Sequence, residues 1–277
     1  MNIARLLLPP TVLIAGMAPA WPAAPALPLW EAGVAGGTAT TPAYPGASEH
    51  ASRSLALPFL IYRGAVLRAD RSGVGARLLD TDRLDVDVGF ALSLPARSRD
   101  VPARRGMPDL GTLVEFGPRL RIKLAEPTPH GRLSLELPLR AVIEARGGLR
   151  RQGATFEPRL AYRLHDDGQA WQVDASLGAV LGNTAINDYL YGVSPAFATT
   201  QRPSYAARSG LMLTRLGLGG TYLLQRDWRA FVFLRYDNYS GAANQASPLL
   251  RQNSGTSASI GLMWTWRRSG SLARGQD

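Results

Sequence analysis

The chain has no cysteine, a single lysine (Lys123) and three histidines in 277 residues. Without cysteine there can be no disulfide scaffold, thiolate nucleophile or sulfur-ligated metal. Beyond the N-terminal region no stretch approaches 18 uninterrupted apolar residues, which excludes membrane-spanning helices. A phosphate-binding P-loop, a His-Glu-x-x-His pair and a Gly-x-Ser-x-Gly elbow are also missing. The glycines of "LGLGGTY" sit inside an extended segment and open no helix, so a dinucleotide fold is not indicated. His50, His130 and His165 are the only imidazoles available for acid–base work. His130 follows Pro127 and Pro129, and His165 precedes Asp166 and Asp167, so both read as turn residues. His50 falls in a long connection with no identifiable partner. The expectation is a protein that is not an enzyme and holds no metal or cofactor.

The charge is unbalanced, with 31 basic residues against 21 acidic and a formal net charge of +10. The arginines are scattered rather than clustered, which argues against nucleic acid. Lipid phosphates and cell-wall material are the fitting anionic partners of an exported chain.

Export itself is read from the N-terminus. Arg5 precedes an apolar run from Leu6 to Met17, followed by the small-residue stretch "APAWPAAPA". This is the layout of a cleavable signal peptide, and the apolar run is too short to span a bilayer. Cleavage after Ala20, Ala24 or Ala26 would each fit; residues 1–24 are assigned to the signal.

What remains is a single repeating theme. Leu84, Val86, Val88, Phe90, Leu92 and Leu94 alternate with Asp85, Asp87, Gly89, Ala91 and Ser93. Successive side chains of a strand point to opposite faces, so one face is apolar and the other polar or small. The same alternation runs from Val114 to Leu124, Leu133 to Glu144, Thr155 to Leu164 and Trp171 to Leu181. It is less clean at Leu29–Gly37, Leu55–Arg63, Leu211–Leu224, Trp228–Tyr236 and Ser257–Trp266. Soluble sandwich strands usually run about 5–6 residues, whereas several of these reach the roughly 9–11 that a tilted strand needs to cross a bilayer. The fold expected is all-β: an antiparallel transmembrane β-barrel over residues 29–267, with 268–277 as a C-terminal tail.

Strand number follows from one irregularity. The alternation slips phase at Asp70-Arg71-Ser72-Gly73, a cluster of turn formers, so Val66–Asp70 and Val74–Leu79 are read as two short strands. That gives about 12 strands, the even number a bacterial single-chain barrel needs. Ten, with one bulged strand here and an end segment excluded, is the alternative. With twelve, the long connections at about 38–54, 95–109, 183–207 and 239–254 share one end, and the short turns share the other. Prolines 118, 138 and 158 cannot donate ladder hydrogen bonds, and bulges are expected at them.

With the apolar faces on lipid, the charges point into the barrel. Inward parity assigns the acids Asp85, Asp87, Glu115, Glu136, Glu144, Glu157 and Asp174, and the bases Arg119, Arg121, Lys123, Arg140, Arg159 and Arg163. Charges removed from water need partners, so this near-neutral set is expected to interlock. A selective pore more often carries an excess of one sign. Trp171, Trp228, Trp264 and Trp266 lie near strand ends, where aromatic girdles occur.

Several blocks also resemble a known family. They are "YPGAS" (44–48), "PFLIYRGAVLRADRSGVGARL" (58–78), "RRGMPDLGTLVEFGPRL" (104–120), "LPLRAV" (137–142), "YLYGVSPAFA" with "RPSYAARSG" (189–210) and "SPLL" (247–250). Together they resemble the MipA/OmpV family of Gram-negative outer-membrane barrels. The resemblance implies a scaffold that binds the lytic transglycosylase MltA and a bifunctional penicillin-binding protein, helping assemble a murein-synthesising complex. It brings no catalytic residues. A small-solute channel, with the "NDYLYG" loop (187–192) at its mouth, and a surface adhesin using Thr38–Ser54 and Gly182–Ala207 are the competing readings. One departure stands out: such barrels usually end on an aromatic residue, whereas here Trp266 is followed by "RRSGSLARGQD".

Overall fold

The computed structural model describes residues 27–63, 67–70 and 73–273; the signal-peptide assignment of residues 1–24 lies outside them. Among the described residues, thirteen strands form one antiparallel sheet. They are β1 (Trp30–Pro42), β2 (His50–Arg63), β3 (Leu67–Asp70), β4 (Gly73–Asp80), β5 (Leu84–Ser93), β6 (Thr112–Thr128) and β7 (Gly131–Ala145). After these come β8 (Leu149–Phe156), β9 (Arg159–His165), β10 (Trp171–Gly182), β11 (Gly210–Gln225), β12 (Trp228–Asn238) and β13 (Ser254–Arg268). Among the described residues there is one α-helix, α1 (Thr184–Tyr191), in the connection before β11.

Two of the strands are halves of one. β8 pairs with the far half of β7 (Leu139↔Phe156 to Ala145↔Leu149), and β9 pairs with the near half (Gly131↔Leu164 to Glu136↔Arg159). Glu157-Pro158 separates them. Proline has no N–H for the ladder, so the strand breaks there, while Pro158 O still accepts from Ala179 N at 3.0 Å. Counting β8 and β9 as one gives twelve strand positions. Neighbours can be followed from β1 through to β13, which pairs back with β1 from Glu31↔Arg268 to Thr40↔Ala258. The fold is an antiparallel β-barrel.

The expected proline bulges are corrected at all three sites: across Pro158 the register runs on unchanged from Glu136↔Arg159 to Leu139↔Phe156. Pro118 and Pro138 cause no register shift; β6 and β7 keep one register from Phe116↔Ala141 across to Arg119↔Pro138. The shifts in this hairpin fall instead near its turn, at Lys123/Ala125 and Ala125/Thr128. Pairing is interrupted at Gly117-Pro118 and resumes in the same register, with the strands still close: a Cβ on Gly117 would lie 2.1 Å from Leu139 O.

Connections sort by length to the two ends. Residues 94–111, 183–209 and 239–253 make the long ones, with a two-glycine turn at Gly147-Gly148 on the same end (φ 59° and 135°). The β1–β2 connection is much shorter than the sequence suggested. Pairing continues to Pro42↔His50, so the β-branched and small residues of Thr38–Thr41 are ladder, and only residues 43–49 form loop. Short turns occupy the opposite end. There the chain leaves β13 and runs beside the start of β1: Ser269 N donates to Trp30 O, Leu29 N to Ser271 O and Ala273 N to Leu27 O, at 2.8–2.9 Å. The last strand therefore reaches Arg268, the first residue assigned to the tail.

The outer surface is apolar and bare of polar cover. Ile260 (61%), Leu177 (60%) and Leu92 (65%) are mostly exposed, as are many other large apolar side chains on the same parity. A water-soluble monomer rarely leaves so much contiguous apolar surface uncovered. A lipid-facing barrel requires it. All five described tryptophans sit at the short-turn end of their strands, where Trp228 and Trp264 stack with ring centroids 6.0 Å apart.

Candidate functional site

The barrel encloses a cavity of about 1900 Å³. It runs from His130, Arg163 and Asp167 at the short-turn end to Tyr189, Leu190 and Tyr239 beneath the long loops. Its charged wall is built by strands β5 to β11, whose inward positions set acids of one strand beside bases of the next. Paired residues of neighbouring strands share a face, so the register aligns the charges. Asp87 opposes Arg119, Asp85 opposes Arg121, and Arg121 opposes Glu136.

The side chains close into a network. Arg119 Nη2 meets Asp87 Oδ2 at 2.6 Å, and Arg121 bridges Asp85 (3.0 Å) and Glu136 (3.1 Å). Glu136 accepts a second guanidinium, Arg159, at 2.6 Å. Arg159 in turn approaches Glu157 at 3.7 Å, which also holds Arg140 at 3.3 Å. Arg140 lies 3.7 Å from Glu115. Other charged positions from the sequence make further contacts. Arg163 and Asp174 form their own half-exposed pair at 2.8 Å. Lys123 Nζ donates to Thr81 O at 3.2 Å. Glu144 accepts from Gln152 Nε2 (2.7 Å), Gly111 N (3.0 Å) and Tyr189 Oη (3.0 Å), tying the wall to the loops above.

Sequence parity missed five charged residues. Arg215 links Glu157 (3.3 Å) to Asp237 (2.7 Å), and Arg235 approaches Asp237 at 3.5 Å. Glu31 pairs with Arg63 at 2.6 Å across the β1–β2 ladder. The residues between them blur the signal: β11 and β12 carry Leu213, Gly217, Phe231 and Phe233 on their inward parity, so no clean polar face is visible.

Over the mouth, the loops build a small core of their own. Tyr191, Leu249, Tyr239, Ile186 and Val193 are almost wholly buried, packed on the upper residues Val142, Val180, Met212 and Leu213 of the strands. Polar links lock the loops together. Arg202 Nη1 donates to Ala103 O and Arg105 O, each at 3.0 Å. Ser247 Oγ donates to Tyr191 O at 2.7 Å, and Tyr44 Oη to Leu249 O at 2.5 Å. Asn183 caps α1, accepting from Ile186 N. Arg104, 3% exposed, donates to Leu190 O at 3.0 Å and lies 5.7 Å from the centre of the Tyr44 ring.

Burial dominates the electrostatics of this cap. It pushes the Tyr44 and Tyr189 phenols up to about 12, with Arg104 opposing, and lowers the Arg104 guanidinium. Burial raises Tyr239 to about 12 as well, reinforced by the Asp237 carboxylate. A phenol raised in the folded state contributes stability that is intact below its unfolded value of about 10 and is lost as pH climbs through the folded value. The cap is therefore expected to loosen between pH 10 and about 12. The absorbance of tyrosinate, followed together with proteolysis of the loops, checks this; phenols titrating freely near 10 with the loops still protected would refute it.

At the other end the structure joins turn residues that sequence left apart. His130 Nε2 lies 2.6 Å from Asp167 Oδ1, and the His130 and His165 rings are 5.6 Å apart. Among the described residues no group of three His, Asp or Glu side chains is arranged to hold a metal ion.

No curated protein matches the chain. Among solved structures it is similar to a "Bacterial polysaccharide outer membrane secretin", at 11% identity and TM-score 0.39, covering 86% of this chain and 99% of the other. It is also similar to the "CymD monoaromatic hydrocarbon channel", at 10% identity and TM-score 0.35, covering 87% and 90%. Likenesses this distant do not bear on function. The family model described as "MltA-interacting protein MipA" matches residues 34–266, from the middle of the first strand to near the end of the last. The chain belongs to the MipA family, and is an outer-membrane barrel protein.

Proposed function

We propose that the protein is a closed docking barrel that holds murein-synthesising enzymes at the inner face of the outer membrane. The observation that carries this reading is the state of the interior: its charges are spent on one another and the mouth lies under an interlocked loop core. A general diffusion pore is better served by an open mouth and unpaired charges along the water path. The family description supplies the partner class, a lytic transglycosylase. Signal-directed export and an orientation with long loops outward put the short turns in the periplasm, and the reading assigns no catalytic step to this chain.

The contact surface is then the short-turn end. Asp167 and Asp227 are exposed there, and Asp227 pairs with Arg268, from which the strip of residues 269–273 runs on. Charge reversal by Asp167→Arg and Asp227→Arg, combined with removal of the residues after Arg268, is expected to abolish capture of a purified lytic transglycosylase while heat-modifiable migration stays normal. Undiminished capture would show that the enzyme docks elsewhere. The channel reading draws on the 1900 Å³ cavity; steady single-channel openings of the refolded protein in a planar bilayer would favour it over a closed barrel.

A further inference from the structure

The barrel wall is uneven in height. Between β2, 14 residues long, and β5, ten residues long, stand β3 with four and β4 with eight. β2 pairs with β3 only at Tyr62↔Ala69 and Arg63↔Arg68, and the β4–β5 ladder stops at Gly75↔Gly89. On its other side β2 pairs with β1 along its whole length, to Pro42↔His50. Among the described residues, nothing pairs with β2 above Phe59 or with β5 above Ala91 on the sides that face each other. The result is a slot in the wall. Two intervening strands set its rims roughly 14 Å apart at the base. Higher up, Arg53 Nη2 reaches across and donates to Pro95 O at 2.6 Å.

The slot opens at lipid depth. Its β5 rim carries Phe90, Leu92 and Leu94 on the outward parity, all exposed. Bare sheet edges do not face hydrocarbon, because their N–H and C=O groups would have no partner. Among the described residues nothing covers these edges, and an amphiphile is suited to them.

The inner wall behind it is the apolar half of the barrel. Ala51, Arg53, Ile61 and Arg63 line the cavity, so Leu55, Leu57 and Phe59 share that face. Leu57 (58%), Leu55 (48%) and the cavity-lining Phe233 (43%) point inward and yet are bare. Glycines keep the wall between them low: a Cβ at Gly33 would lie 2.6 Å from the Phe59 ring, and one at Gly261 2.4 Å from that of Phe231. At the rim Arg53 has a carbonyl for a partner and no carboxylate among the described residues.

We infer that the slot admits the hydrocarbon chain of an acidic amphiphile from the surrounding leaflet, its tail on Leu55, Leu57 and Phe233 and its head at Arg53. The head's oxygens replace the Pro95 carbonyl as acceptors for the guanidinium, and the tail covers apolar side chains that face an otherwise charged lumen.

The test uses the full-length mature protein in phosphatidylcholine nanodiscs, with palmitic acid carrying a photoreactive diazirine near its methyl end. Saturable labelling of Leu55, Leu57, Phe59 or Phe233, displaced by unlabelled palmitic acid, is expected. Arg53→Gln should weaken it about tenfold through loss of a charge-assisted hydrogen bond, and the probe's methyl ester should do the same on the parent. Leu57→Asp should abolish labelling; Leu57→Ser serves if the aspartate variant fails the heat-modifiability check. Labelling confined to outward residues such as Ile260 and Leu262, or labelling that palmitic acid does not displace, would overturn the inference. A doubled mass with cross-links between β2 edges would do so too, giving the slot to a second copy of the chain.

Discussion

Replacing Glu136 with alanine should destabilise the barrel by about 3–5 kcal/mol, the cost of stripping one partner from a buried ion pair. Its carboxylate holds Arg121 at 3.1 Å and Arg159 at 2.6 Å, and its side chain is only 5% exposed. Without it two guanidinium groups are left close together, with Arg119 nearby and little water to screen them. Glu136→Gln keeps the volume and one acceptor but removes the charge, so it should fall between the parent and alanine. Urea titration of the refolded protein, read by loss of heat-modifiable migration, gives the comparison. The half-exposed pair Arg163–Asp174 is the internal control. Arg163→Ala should cost no more than about 1 kcal/mol. Equal losses at both sites would mean that the network is no more than a set of independent surface pairs.

Tyr191→Ala should release the cap rather than the barrel. The ring is fully buried among the loops, and removing a large buried aromatic costs about 3–5 kcal/mol. Most of that loss is local, because Tyr191 belongs to α1 and its neighbours in the loop core, Leu249 and Tyr239, are themselves outside the ladder. Local opening should let trypsin cut after Arg208 and Arg251, which are exposed but held in folded loops that the parent should keep resistant. It should also turn a silent bilayer into a conducting one. A variant as trypsin-resistant and as silent as the parent would show that the loops do not govern access. Trypsin cleavage without conductance would move the seal down to the ion-pair layer.

How far the sequence could be read depended on whether a local period carried the information. β5, β6, β7 and β10 alternate apolar and polar residues, so both their faces and their charged positions were legible from Asp85 to Asp174. The short hairpin was legible too, because the phase slip at Asp70–Gly73 separates two parities that the structure resolves as β3 and β4. Where the inward face turns apolar the rule gave less. Arg215 sits between leucines and glycines, and Arg235 follows two inward phenylalanines, so neither advertised a lumenal charge. The loop core had no signal of its own. Tyr44, Leu110, Ile186 and Leu249 come from four separate connections, and nothing periodic links them. Only the aromatic "NDYLYG" hinted that a loop would fold inward. The prolines misled through a rule applied one residue at a time: a missing N–H can interrupt pairing without shifting the register, as at Pro118, or can end a strand, as at Pro158.

The seam between β1 and β13 carries a consequence for how the molecule is made. Trp30 N donates to Ser269 Oγ at 3.2 Å across 239 residues of sequence, and Arg268 reaches Asp227 at 2.8 Å beside it. Contacts of such long sequence separation form late, because they must wait for the rest of the chain to be in place. Until then the first and last strands both present unpaired edges, which invite pairing with another chain. The order of synthesis makes this worse, since β1 emerges first and waits longest for its partner. Chaperoning of that first edge, through the aqueous space between export and insertion, is therefore built into the topology as a requirement of assembly.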